Sequence, residues 1–163
     1  MALVDYTTFD DIRAVLGVPE EQLEDATISL DVYEFNLTDE LESVDLTVPA
    51  EFITVAAIDQ RNAVQDRFFR SVKLFAAYAV AKQLLASLPM FGPKEVTDGK
   101  ASVVRFAMNP YKDTVTRVLA DYERFRERLL AAFAALSSST AAARTQLIYA
   151  VGAPPAVDPV TGT

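Results

Sequence analysis

Between Val64 and Leu88 the chain reads VQDRFFRSVKLFAAYAVAKQLLASL, and helical spacing gathers Phe68, Val72, Phe75, Ala76, Ala79, Val80 and Ala86 on one broad arc. Gln83 is the main polar residue in that arc; Arg67, Arg70, Ser71 and Lys82 fall on the other side. The arc is wider than a surface helix needs. It predicts a core helix covered on at least two sides, with Ala76, Ala77, Ala79 and Ala81 admitting close neighbours. Pro89, Gly92 and Pro93 stop it. Arg70, Lys73, Lys82 and Gln83 break the apolar run well short of the ~18 residues of a membrane span. A second long pattern, Val115, Val118, Tyr122, Phe125, Leu129, Ala132 and Leu136, alternates threes and fours, with Asn109 as N-cap and Pro110 as first residue. It predicts a helix to about Leu136, antiparallel to the first. Asp121, Glu123, Arg124, Arg126, Glu127 and Arg128 make its outer face one of mixed charge.

Shorter patterns surround these two. In TTFDDIRAVLGV, Thr8 is a natural N-cap, Asp11 its capping-box partner, Ile12, Val15 and Leu16 the inward face and Gly17 the stop. Pro19, Glu20 and Glu21 suit the start of a second helix, and Leu30, Tyr33, Leu37, Leu41 and Val44 continue a helical period. Pro49 opens a third, with Phe52, Val55, Ala56 and Ile58 inward. After the core helix, two short β-favouring runs flank Asp98-Gly99, which predicts a hairpin near 94–104 with a type I′ turn. Beyond Leu136 the composition changes. Ser137–Thr140 reads as a hinge, Gln146–Val151 as an edge strand, and Pro154, Pro155 and Pro159 as a brake that keeps the remainder extended. The chain is thus predicted to be mainly α, a helical bundle built on two long antiparallel helices over 1–136, with a small β-hairpin and an extended C-terminal tail over 137–163. Such a tail cannot bury enough surface to fold alone, so Gln146, Leu147, Ile148, Tyr149, Val151, Pro154 and Pro155 are candidate partner-binding residues, with the hairpin tip Asp98 and Gly99 as a second candidate.

Composition narrows the chemistry. The 163 residues suit one domain, and a hydrophobic share of 51% excludes wholesale disorder. Lys+Arg 15 against Asp+Glu 23 leaves a net charge of -8, which argues against a grip on phosphate backbones. With no His and no Cys, the usual nucleophilic triads, zinc sites and disulfides are excluded, and no catalytic residue, metal or cofactor is expected. The acidic group Glu20, Glu21, Glu24 and Asp25 lacks the spacing of a calcium loop. GPKEVTDGKA spaces its glycines wrongly for a phosphate loop and has Ala101 where a magnesium-binding hydroxyl belongs. DDIRAVLGVPEE resembles half of a helix-turn-helix, but acidic residues follow where a recognition helix needs cations. The N-terminus MALVDYTTFDD has neither the basic nor the apolar region of a secretory signal.

Thr8, Asp11, Ile12 and Leu16, followed by the acidic Glu21 and Asp25, match the Thr-x-x-Asp-Ile/Val-x-x-x-Leu opening of the head-to-tail connector (adaptor) proteins of tailed bacteriophages, and the chain resembles that family over most of its length. Many members carry a hairpin between two long helices with a Gly-Asp turn and an alternating Ser-Val run; here the run is ASVV and the turn, Asp98-Gly99, has the reverse order. The resemblance implies a structural virion protein without enzymatic activity. It implies a homo-oligomeric ring, usually of twelve copies, in the neck between capsid and tail, assembled in the host cytoplasm. In such a ring the C-terminal segment reaches the portal protein, a tail or tail-terminator protein docks below, and DNA passes through an acidic lumen without specific binding. The alternative is a small all-α nucleic-acid-binding assembly factor such as a terminase small subunit, which ought to show a basic first domain.

Overall fold

The computed structural model describes residues 3–87, 96–98, 101–103 and 112–152, with side chains over 3–87 and 112–140. In these residues the protein is mainly helical. The order is α1 (Leu3–Tyr6), α2 (Phe9–Leu16), α3 (Asp25–Ile28), α4 (Asp31–Val44), α5 (Val48–Ala56), α6 (Ala63–Leu84), β1 (Val96–Asp98), β2 (Ala101–Val103) and α7 (Lys112–Gly152).

Helix α6 is fixed at its start by a full capping box: the Asn62 side chain accepts from the Val64 and Gln65 amides, and the Gln65 side chain accepts from the Asn62 amide. Phe68, Val72, Phe75, Ala76, Ala79 and Val80 are buried on it as the spacing requires. Ala86 is exposed, because the helix ends at Leu84 and the chain turns there before Pro89. Along α7 the seam residues Val118, Tyr122, Phe125, Leu129, Ala132 and Leu136 are buried. Ring pairs join the two helices: Phe68 with Phe133 (6.0 Å between centroids), Phe75 with Tyr122 (5.4 Å) and Tyr78 with Phe125 (4.7 Å). Phe68 near the start of α6 meets Phe133, whereas Phe75 and Tyr78 farther along meet the earlier α7 residues Tyr122 and Phe125, so the helices pass in opposite directions here. The other helices wrap α6. Tyr6 stacks on Phe52 (5.0 Å) and Phe52 on Phe69 (5.2 Å), which locks α1 and α5 to it.

The short elements show what local rules decide. Thr8 caps α2 through the Asp11 amide (3.1 Å), and Gly17, at φ 72°, closes it with its amide on the Arg13 carbonyl (2.8 Å). A helix from Pro19 does not form. Pro19–Leu23 is a turn, held because the buried Arg13 guanidinium takes the Leu23 carbonyl (3.1 Å) and the Asp25 carboxylate (2.6 Å), while Leu23 enters the core. Leu37 and Leu41 are the buried residues of α4; Leu30, expected inward, is its exposed N-cap. In α5, Phe52 and Val55 are buried and Ala56 is exposed. Strands β1 and β2 pair antiparallel with Val96 opposite Val103 and Asp98 opposite Ala101. The expected turn type rests on Gly99, outside the described residues, as do Asn109 and Pro110.

The C-terminal expectation needs the largest correction. Ser137–Thr140 is no hinge and Gln146–Val151 is no strand: α7 continues through both to Gly152. The hydroxyls explain why the serine run does not break it. Ser138 Oγ donates to the Ala134 carbonyl (2.8 Å), and Ser139 and Thr140 donate to that of Leu136 (2.8 and 3.1 Å), so each side chain bonds back into the helix it was expected to interrupt. Ala141, Ala142 and Ala143 then favour helix strongly. The segment 137–152 is therefore helical, not extended; Pro154 and Pro155 lie outside the described residues.

Candidate functional site

Two features stand outside ordinary core packing: the C-terminal part of α7, and a polar cluster where α4, α6 and α7 meet. At 41 residues, α7 is about 60 Å long, nearly twice α6. Paired positions such as 68 with 133 and 78 with 125 place Ala63, where α6 begins, level with roughly residue 138 of α7. Leu136 is the last buried residue described, and residues 137–140 are exposed. The remaining turns to Gly152 thus run about 20 Å past the level of α6's start. Of the expected partner-binding residues, the structure brings Gln146, Leu147, Ile148, Tyr149 and Val151 together on this helical arm, and places Asp98 apart from them at the end of β1.

The polar cluster was not foreseen. Glu40 of α4 accepts a hydrogen bond from the Lys82 ammonium (2.7 Å) and another from the Tyr122 hydroxyl, and the ammonium also sits over the Tyr122 ring at 3.9 Å. Burial pushes the Glu40 carboxyl up, but the hydrogen bonds from Lys82 and Tyr122 outweigh it and hold the group below the usual carboxylate range. Burial likewise works against the Lys82 charge, and Glu40 and Tyr122 more than restore it. The Tyr122 phenol is raised, first by burial and then by its bond to Glu40. Near neutral pH all three keep their ordinary protonation states, so the cluster acts as a clamp of α4 onto both long helices. Beside it, Gln83 Oε1 accepts from Asn36 Nδ2 (3.2 Å), while its Nε2 is buried without a partner among the described residues. No spacing in the sequence links positions 40, 82 and 122, and the helical period set Lys82 on the polar side of α6 with Arg67, Arg70 and Ser71.

A groove of about 550 Å³ opens between α6 and α7, lined by Arg67, Arg70, Ser71, Leu74, Phe125 and Arg128 among others. Arg70 pairs with Asp66 (2.7 Å), and the Arg128 guanidinium lies 5.3 Å from the Phe125 ring centre. Among the described residues no cluster of three or more acidic side chains is arranged to hold a metal ion, and no helix is long and apolar enough to cross a membrane. Glu20, Glu21 and Glu24 are exposed, and Asp25 is engaged with Arg13.

No family model matches the chain, and neither a curated protein nor a solved structure matches it.

Proposed function

We propose that this chain is a structural subunit of a tailed-phage neck, a head-to-tail connector that forms a ring, leaves a channel for DNA and is fastened to the portal protein through its C-terminal arm. The observation that carries the reading is the arm itself: one unbroken helix that packs in the core up to Leu136 and then runs on past the start of α6. A helix that continues about 20 Å beyond its own packing partner suits attachment to something else better than it suits the stability of its own subunit. The capped opening helix with Thr8, Asp11, Ile12 and Leu16 supports the same family resemblance. In this reading the arm docks as a helix, with Leu147 and Val151 one turn apart along it, and not as an added strand. A tail protein docks on the opposite end of the ring, and the virion neck is where the subunit resides.

The test is deletion of residues 141–163. The shortened chain is expected to melt within a few degrees of the full one and to lose co-purification with a portal protein. Undiminished co-purification refutes the assignment of the arm; failure of the shortened chain to fold refutes the separation of arm from core.

A further inference from the structure

Charge is unevenly divided along this chain. Residues 1–62 hold fifteen acidic side chains against two basic ones, a balance of −13, whereas residues 63–163 hold eight against thirteen, a balance of +5. The fold turns that division into two surfaces. On α4, Phe35 is 66% exposed, with Val32 beside it at 52%, and Asp31, Asp39 and Glu42 stand exposed within two turns on the same face. None of these three carboxylates has a cation at ion-pair distance among the described residues. On the other side lies the α6/α7 groove. Its wall carries Leu74, 44% exposed, between Arg67, Arg70 and Arg128, and neither Arg67 nor Arg128 has a carboxylate partner among the described residues.

We propose that copies of this chain dock head to tail, the Phe35 face of α4 on one copy seating in the Arg67–Leu74–Arg128 groove of the next. Guanidinium groups suit this occupant, because they pair with carboxylates and stack on an aromatic ring at once. A single molecule cannot make the contact. Gln83, which receives α4 through Asn36, lies nine residues from Leu74, about 180° around α6, so α4 and the groove occupy opposite sides of the subunit. Two unlike surfaces on opposite sides give a heterologous contact, which repeats until it closes into a ring or grows as a filament. The inference rests on the assembly reading above and adds to it the two surfaces that meet.

The experiment is light scattering on the full chain at about 50 mM and about 500 mM salt, a span over which screening shortens from more than 10 Å to a few ångströms. Wild type is expected to be oligomeric at low salt and to dissociate at high salt. Arg67→Glu with Arg128→Glu is expected to be monomeric at low salt with an unchanged helical melt, and so is Asp39→Lys with Glu42→Lys. All four changes in one chain are expected to restore the oligomer. A wild type that stays monomeric at low salt, reversed chains that still assemble, or a four-fold variant that stays monomeric overturns the proposal. So does a monomeric wild type that binds duplex DNA and loses it in the Arg67→Glu, Arg128→Glu variant. The full chain beside its 141–163 deletion separates the two readings: a deleted chain that self-associates but no longer captures a portal protein upholds both, a deleted chain that self-associates and still captures it refutes the arm alone, and a full chain that captures a portal protein without self-associating refutes this contact alone.

Discussion

Replacing Glu40 and Lys82, singly and together, measures how strongly α4 is tied to the two long helices. Glu40 accepts from Lys82 at 2.7 Å and from the Tyr122 hydroxyl, and each hydrogen bond with a charged partner is worth ~1.5–3 kcal/mol when sheltered from water. The side chains are 33% and 24% exposed for Lys82 and Glu40, which moves the expectation to the low end of that range. Lys82→Met keeps the stem against the Tyr122 ring and deletes one bond, so it is expected to cost about 1.5 kcal/mol. Glu40→Leu deletes both acceptors and leaves a half-buried ammonium without its counter-charge, at about 2–3 kcal/mol. The double variant loses the pair together and leaves only the Tyr122 hydroxyl unmatched. It is expected to cost about 2 kcal/mol, well below the sum of the singles, for a coupling of about 1.5–2.5 kcal/mol. The assay is urea unfolding of the four chains at about 500 mM salt, where surface charge contacts are screened. Costs that add to within ~0.5 kcal/mol refute the clamp, and leave α4 held by its other contacts, Leu37 and Leu41 foremost.

Three further outcomes follow from the same structure. Because the folded Glu40 pKa is depressed, its stabilisation is present above the ordinary carboxylate pKa of about 4.3 and is lost as pH falls through the lower folded value; Lys82 and Tyr122 are raised, so theirs is present below about 10 and is lost as pH rises beyond it. Urea midpoints measured across pH are therefore expected to form a plateau from about 5 to 10, and Glu40→Gln is expected to shrink its acid limb; an acid limb of unchanged size refutes the assignment. Phe75→Ala, at a position with no exposure and a ring contact to Tyr122, is expected to cost about 3–5 kcal/mol, whereas Phe35→Ala on the exposed face of α4 is expected to leave the monomer's stability within about 0.5 kcal/mol. Gly17→Ala meets no atom within 4 Å, so any loss comes from the backbone at φ 72°, and a melt reporting about 1 kcal/mol is the expected result.

What the sequence made legible was whatever is decided within a few residues or repeats with the helical period. The Thr8 and Gly17 caps are local hydrogen-bond arrangements, and the seam from Val118 to Leu136 is a period, so both could be read directly. Helix α1, four residues with no repeat to show, could not. The turn at Pro19–Leu23 went unforeseen because its competitor is distant: Arg13, ten residues earlier, claims the Leu23 carbonyl. Helix α7 shows a different failure. Ser and Thr favour loops when their hydroxyls compete for backbone groups, but here they bond to carbonyls one turn back and cost the helix little. The Leu147, Ile148, Tyr149, Val151 run is β-favouring in composition, yet it extends a helix already nucleated and packed over its preceding turns, where each added residue costs far less than a new start. The Glu40–Lys82–Tyr122 clamp joins positions forty or more residues apart, and only the fold puts them side by side.

The unbroken passage of α7 through Ser137–Thr140 makes the arm a screw thread cut from the same rod as the core. Its far end has a fixed azimuth as well as a fixed reach, both set by how Phe125, Leu129 and Ala132 seat against α6. A single residue inserted at 138 turns everything beyond it by about 100° and advances it by about 1.5 Å, while seven inserted residues turn it nearly two full circles and return it to within about 20° of its original bearing, about 10 Å farther out. Capture of a partner that reads one side of the arm is then periodic in insertion length, failing at one residue and returning in part at seven, whereas a slack tether shows no such phase.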